Sequence, residues 1–212
     1  MSEIKRNLLI GVGLAAAIAG GAYFALGGTS MLPGQNQNST TTVGGVSGTG
    51  DFTVEPVGVG PPSLNRPIAI TAPLSEDVKV VLRNLLEQQI AMLRKEPTRV
   101  DLWLQLGTNR KIAGDYEGAI EAWEYVAQVA PKQVSATAHG NLGDLYMYFI
   151  KDYPKAETRF QQAIALNPNV IEYYRALFYL YRDIFKDSSK AEAIRAEGIK
   201  NNPGTTDLQQ LK

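Results

Sequence analysis

The sequence predicts an all-α chain: an α-solenoid of three helix pairs with an N-terminal capping helix, preceded by a transmembrane helix and a flexible linker. Three observations carry this. A spaced pattern of aromatic, Leu-Gly, Ala and Pro residues recurs three times between residues 97 and 204. The apolar periodicity of that region is helical throughout. The first 74 residues are set apart by composition, an uncharged stretch being followed by a polar one.

Residues 1–6 form a short tail carrying Lys5 and Arg6, expected to be cytoplasmic. Residues 7–28 follow, with no charge at all from Leu8 to Gly28. That is close to the roughly 20 apolar residues needed to cross a bilayer core. The competing reading is a cleaved signal peptide, whose apolar region runs to about 7–15 residues before a small-x-small site. Here the stretch is longer, and Tyr23 occupies the −3 position of a cut after Ala25. No basic residue lies between Arg6 and Arg66, an asymmetry that orients the tail inward and the rest of the chain outward. The expectation is a single-pass membrane protein with an extracytoplasmic domain. Gly13, Ala17, Gly21 and Ala25 align small side chains on one helix face, a pattern that Ala/Gly-rich composition also produces unaided.

Residues 29–74 are rich in Gly, Ser, Thr, Asn, Gln and Pro, and include "GQNQNSTTTVGGVSGTG". Too little apolar surface is available to offset the entropy of ordering them, so a flexible tether is expected. Within it, "RPIAITAP" reads as a short extended piece able to lie against the domain.

From Ser75 to Lys212 charges are dense and equal in number, so composition provides no basic face and weighs against nucleic acid as partner. The chain has no cysteine, which excludes disulfides, thiolate metal sites and covalent haem attachment. Ser75, with Glu76 and Asp77 in the first turn, starts a helix running through "VKVVLRNLLEQQIAMLRKE" to Pro97. It stands where a second helix of a pair would stand, and caps the stack.

The repeat then begins. Trp103, Leu106, Gly107, Ala119, Trp123 and Pro131 define its frame, with Arg110 in a slot that the later copies fill with tyrosine. The frame returns as His139, Leu142, Gly143, Tyr146, Ala156, Phe160 and Pro168. A third pass gives Tyr174, Leu177, Phe178, Tyr181, Ala191, Arg195 and Pro203. Copies two and three share a one-residue insertion ahead of the Ala. The spacing resembles the tetratricopeptide repeat (TPR) family, over repeats at about 100–133, 136–170 and 171–205. The resemblance implies antiparallel helix pairs in which small residues at Gly107, Gly143, Ala119, Ala156 and Ala191 permit close helix approach. Trp103, Trp123 and Phe160 then fill the space between layers. The third copy departs most, with Phe178 for the glycine and Arg195 for the aromatic, so its second helix is expected to face solvent or a partner.

No catalytic, cofactor-binding or metal-binding constellation is legible. His139, the one histidine, falls in the Trp103 slot and reads as packing. "GVGLAAAIAGG" lacks the preceding strand that a phosphate-binding loop requires. The expected activity is binding rather than catalysis. The TPR resemblance implies a concave face lined by the first helix of each pair. The repeat register places Asp101, Leu104, Thr108 and Lys111 there from copy one, and Thr137, Asn141, Asp144 and Met147 from copy two. Copy three adds Glu172, Arg175, Tyr179 and Arg182. Arg175, Tyr179 and Arg182 together suit an acidic or C-terminal carboxylate beside an apolar residue. Of the carboxylate-clamp positions of cochaperone TPR domains, here Leu104, Thr108, Asn141, Glu172 and Ala176, only Asn141 matches. "LEQQIAMLRKEPTRVDLWLQLG" is also similar to the start of the TPR domain in bacterial cytochrome c maturation subunits, which implies an apoprotein segment as ligand. The partner expected is therefore another protein or peptide segment. The unfinished repeat after Pro203 leaves self-assembly into a homo-oligomeric envelope scaffold as the alternative.

Overall fold

The computed structural model describes residues 59–211, all within one compact unit, Val54–Lys212. The expected tail, transmembrane helix and most of the expected linker lie outside the described residues. Among those described, no helix is long and apolar enough to cross a membrane, and no strand occurs.

Helix α1 spans Glu76–Lys95 and buries Leu82, Leu86, Gln89, Ile90 and Leu93. Three pairs follow: α2 (Val100–Ala113) with α3 (Tyr116–Val129), α4 (Lys132–Asp144) with α5 (Tyr153–Leu166), and α6 (Ile171–Tyr179) with α7 (Ser188–Asn201). Each second helix starts on an aspartate. Asp115, Asp152 and Asp187 accept from the backbone N–H of Gly118, Lys155 and Lys190 at 3.0, 3.2 and 2.9 Å. Such caps satisfy donors that the first turn leaves orphaned. Tight turns fold each pair back on itself, and the pairs stack in chain order.

Aromatic residues on the small positions hold each pair together. A Cβ on Gly107 would lie 2.6 Å from Cδ1 of Trp123, and one on Gly143 would lie 2.7 Å from Cε1 of Phe160. The glycines admit a ring from the partner helix rather than the partner's backbone. Trp123 is fully buried and donates its indole N–H to Leu104 O at 3.0 Å, while Trp103 donates to Pro97 O at 2.7 Å. In the third pair the aromatic has moved to the first helix: Phe178 is buried where the other copies keep glycine. Accordingly α7 buries only Ala191 and Gly198, and Arg195 pairs with Glu192 at 2.7 Å. Leu208, from the stub after Pro203, closes the end of the core beside Gly198 and Tyr174.

The one-residue insertion appears as a π-helical turn. α4 and α6 continue into Leu145–Ile150 and Leu180–Phe185, whose hydrogen bonds span one residue more than α-helical ones. Each then ends on a left-handed residue, Lys151 at φ 64° and Lys186 at φ 56°, where α2 ends on Gly114 at φ 84°. A side chain in that conformation costs about 1–2 kcal/mol. Twice, then, the chain retains a cost that glycine would remove.

The boundary at Ser75 moves. Pro62 to Leu74, expected as the end of the linker, alternates half-buried and exposed residues. Leu64, Ile68, Ile70 and Leu74 pack against the core. Thr71 N and Ala72 N both donate to Ala113 O, at 2.8 and 3.0 Å. "RPIAITAP" is thus a strap across the α2–α3 turn. Arg66 occupies one of its inward positions and meets three carboxylates: Asp115 at 3.0 Å, Glu117 at 2.9 Å and Glu121 at 2.9 Å.

Candidate functional site

α2, α4 and α6 supply the first-helix face. On it the structure brings together Lys111, Asp144, Arg175 and Tyr179, one or two from each helix, with Tyr148 beside them. Lys111 stands over two rings, 5.8 Å from the centroid of Trp123 and 5.6 Å from that of Phe149. Burial lowers its ammonium pKa below the ordinary lysine value, against the pull of Asp144. Burial likewise pushes the Asp144 carboxyl up, with Lys111 and Arg175 opposing. Tyr148 is raised first by burial and then by Asp144, with Arg175 acting the other way and Tyr179 also in range. Across three helices the face therefore alternates cation, carboxylate, cation, with tyrosines alongside. Asp144 partly neutralises both cations.

Several expected residues are engaged elsewhere or withdrawn. Met147 is 7% exposed, so it belongs to the core and is not displayed. The reason is the π-turn: the extra residue shifts everything after Leu145, and Tyr148 emerges in place of Met147. Arg182 is not an open donor. Its guanidinium is held by Asp183 at 2.6 and 2.7 Å and lies over Phe178 and Tyr179. The expected pair of cationic donors flanking Tyr179 thus reduces to Arg175.

Asp101 is paired with Arg99 at 2.7 Å. Thr108 and Thr137 return their hydroxyls to Leu104 O and Gln133 O of their own helices, at 3.2 and 3.1 Å. Leu104 and Asn141 are half-buried and Glu172 is exposed. Ala176, a clamp position by resemblance, is buried. Tyr148, Phe149 and Tyr173 were missed. The repeat spacing carries no signal for them, because none occupies a position of its frame. Tyr173 lies along Gly140 and donates to Ala136 O at 3.2 Å.

His139 is half-buried, with Nδ1 3.4 Å from Arg159 Nη1. Burial and the Arg159 charge lower its pKa. Arg159 also pairs with Glu124, so this histidine ties α4 to its neighbours. Among the described residues no group of three or more His, Cys, Asp or Glu could hold a metal ion.

Comparison with known proteins agrees with this architecture. Two crystal structures of MamA superpose with TM-scores of 0.52 and 0.51 at 24% identity. The match covers 64% of this chain in both, and 77% and 72% of the respective MamA chains. The fold is TPR-like. No family model and no curated protein matches the sequence.

Proposed function

We propose that the chain is a membrane-anchored interaction module that holds a segment of another protein against the concave face of its helix stack. The observation that carries this is the Lys111–Asp144–Arg175 diagonal with Tyr148 and Tyr179 beside it. A core would gain nothing from leaving two cations, a desolvated carboxylate and tyrosines on one face. The ligand chemistry that fits is a carboxylate, reaching Arg175, next to an aromatic or aliphatic side chain resting on Tyr148 and Tyr179. Because Asp144 already competes for both cations, affinity is expected in the micromolar range, about −8 kcal/mol.

The test is capture of partners from solubilised native membranes by the full-length chain and by Arg175→Glu/Tyr179→Ala. Loss of the same partners by the variant, with an unchanged melting curve, is the expected result. Equal recovery by both proteins refutes the groove. The anchor and its orientation, N-terminus cytoplasmic and helical domain extracytoplasmic, rest on the charge asymmetry around residues 7–28. Protease added to spheroplasts is expected to digest the domain. Protection until the membrane is permeabilised would reverse that orientation.

A further inference from the structure

The two π-turns share a property that the concave face does not use. Each ends a first helix on large apolar side chains that point outward. Phe149 and Ile150 are 47% and 40% exposed, and Ile184 and Phe185 are 40% and 37% exposed. The pairs stand at equivalent positions of consecutive repeats, immediately before the left-handed lysines Lys151 and Lys186. The turns line one edge of the stack. Phe149 packs edge-on against Tyr116 of the first turn, with centroids 5.5 Å apart. Glu157, just past the second turn, accepts from Tyr181 at 2.8 Å beside the third. The first turn is covered by the strap; among the described residues no such strap crosses the second or third, although Lys111 lies over the Phe149 ring.

Charge on this edge is asymmetric. Segments 148–155 and 182–190 each contain one more cation than carboxylate. Asp152 is paired with Lys155 at 2.9 Å and Asp183 with Arg182 at 2.6 Å, while Asp187 caps α7. Lys151 and Lys186 are exposed and form no salt bridge among the described residues. Protruding aromatic and aliphatic tips, each followed by a lysine, match a bilayer interface: the tips enter the headgroup boundary and the lysines meet anionic headgroups. Separate protruding tips fit a fluid surface better than a rigid protein partner, which would need a complementary hollow for each.

We propose that this turn edge docks on an anionic lipid surface. Doing so needs the π-turns, because an α-helical ending closed by glycine, as in the first pair, would carry neither the extra apolar residue nor the lysine.

The test uses fragment 54–212, the compact unit that holds every core residue among those described, without the preceding residues. Their removal also eliminates the apolar stretch that would insert into vesicles by itself. Sedimentation is measured with vesicles of phosphatidylcholine alone and of phosphatidylcholine mixed equally with phosphatidylglycerol. Two lysines at the surface predict roughly tenfold or greater preference for the mixed vesicles, weakening as salt rises. Lys151→Glu/Lys186→Glu is expected to abolish that preference, and Ile150→Ser/Ile184→Ser to reduce binding severalfold, both with unchanged melting. Equal binding to both vesicles, binding to neither, or binding untouched by both variants overturns the proposal. So would photocrosslinks from position 150 to a protein in native membranes, with vesicles left unbound. That outcome would assign the edge to a protein partner.

Discussion

Arg110 and Gly118 show how one repeat solves the same local problem as its neighbours with different residues. In the second and third pairs a buried tyrosine of the first helix lies under a lysine of the second, Tyr146 under Lys155 and Tyr181 under Lys190, each ammonium 5.3 Å from the ring centroid. In the first pair Arg110 fills the tyrosine slot and is 4% exposed, paired with Asp115. Gly118 replaces the lysine, because a Cβ there would lie 2.7 Å from Arg110 Nη1. The positive charge is thus delivered from the other helix. Gly118→Lys is therefore expected to destabilise the domain, and combining it with Arg110→Tyr to recover part of the loss. A coupling of about 1 kcal/mol or more in a urea double-mutant cycle is the expected readout, and simple additivity would argue against the exchange. Gly107→Leu is expected to cost about 1–3 kcal/mol or more, since the Trp123 ring occupies the space. The repeat frame was legible at this scale because glycine and aromatic recur at fixed spacing. That the glycine receives a ring, and that Arg110 substitutes for two residues at once, depends on side-chain paths that spacing alone does not define.

Among the elements, the π-turns and the strap are where sequence and structure part. The insertion itself was visible, but a count of residues cannot say whether an extra one enters the turn or widens the helix. It widened the helix, so the concave register carried over from the first copy fails beyond Leu145 and Leu180. Lys151→Gly and Lys186→Gly are each expected to stabilise the domain by about 0.5–1 kcal/mol, the left-handed cost less the glycine entropy. Thermal melts that fall instead would mean the lysines make stabilising contacts. The strap was legible only as a two-residue alternation in a Pro-rich tract, too short to separate from the linker before it.

Its pH dependence is specific. Burial alone would raise Asp115, but Arg66, the Gly118 N–H and Arg110 hold the carboxyl below its ordinary value. The stability it confers is then complete above about pH 4 and is lost as pH falls through the depressed folded value. Arg66→Ala is expected to cost about 1–3 kcal/mol near neutrality. The gap from wild type should shrink below about pH 4 in denaturant titrations, and a gap that is constant with pH would show that Asp115 is not the partner that matters.

At the scale of the whole molecule, the class and order of the helices among the described residues followed from the sequence, because each helix pair must bury one face on the next, which forces apolar spacing into the chain. The expected first-helix face was only half legible. Lys111, Asp144, Arg175 and Tyr179 do share a face, whereas partners that are local in sequence, Asp183 for Arg182 and Arg99 for Asp101, neutralised residues that register alone had made available. Lys111→Met should separate stability from function: relieving a desolvated ammonium is expected to leave the melting temperature equal or higher while weakening ligand capture. A lower melting temperature would make Lys111 a structural residue. The strap has a further consequence under load. Whatever pulls on the chain from its N-terminal side pulls first on Arg66 and on the two amides at Ala113 O, not on α1. Three ion pairs and two hydrogen bonds resist together before the first helix can be peeled from the stack. The strap is in that sense a strain relief at the point where a cable enters its housing: the clasp would slip and reseat while the face carrying Lys111, Asp144 and Arg175 kept its shape.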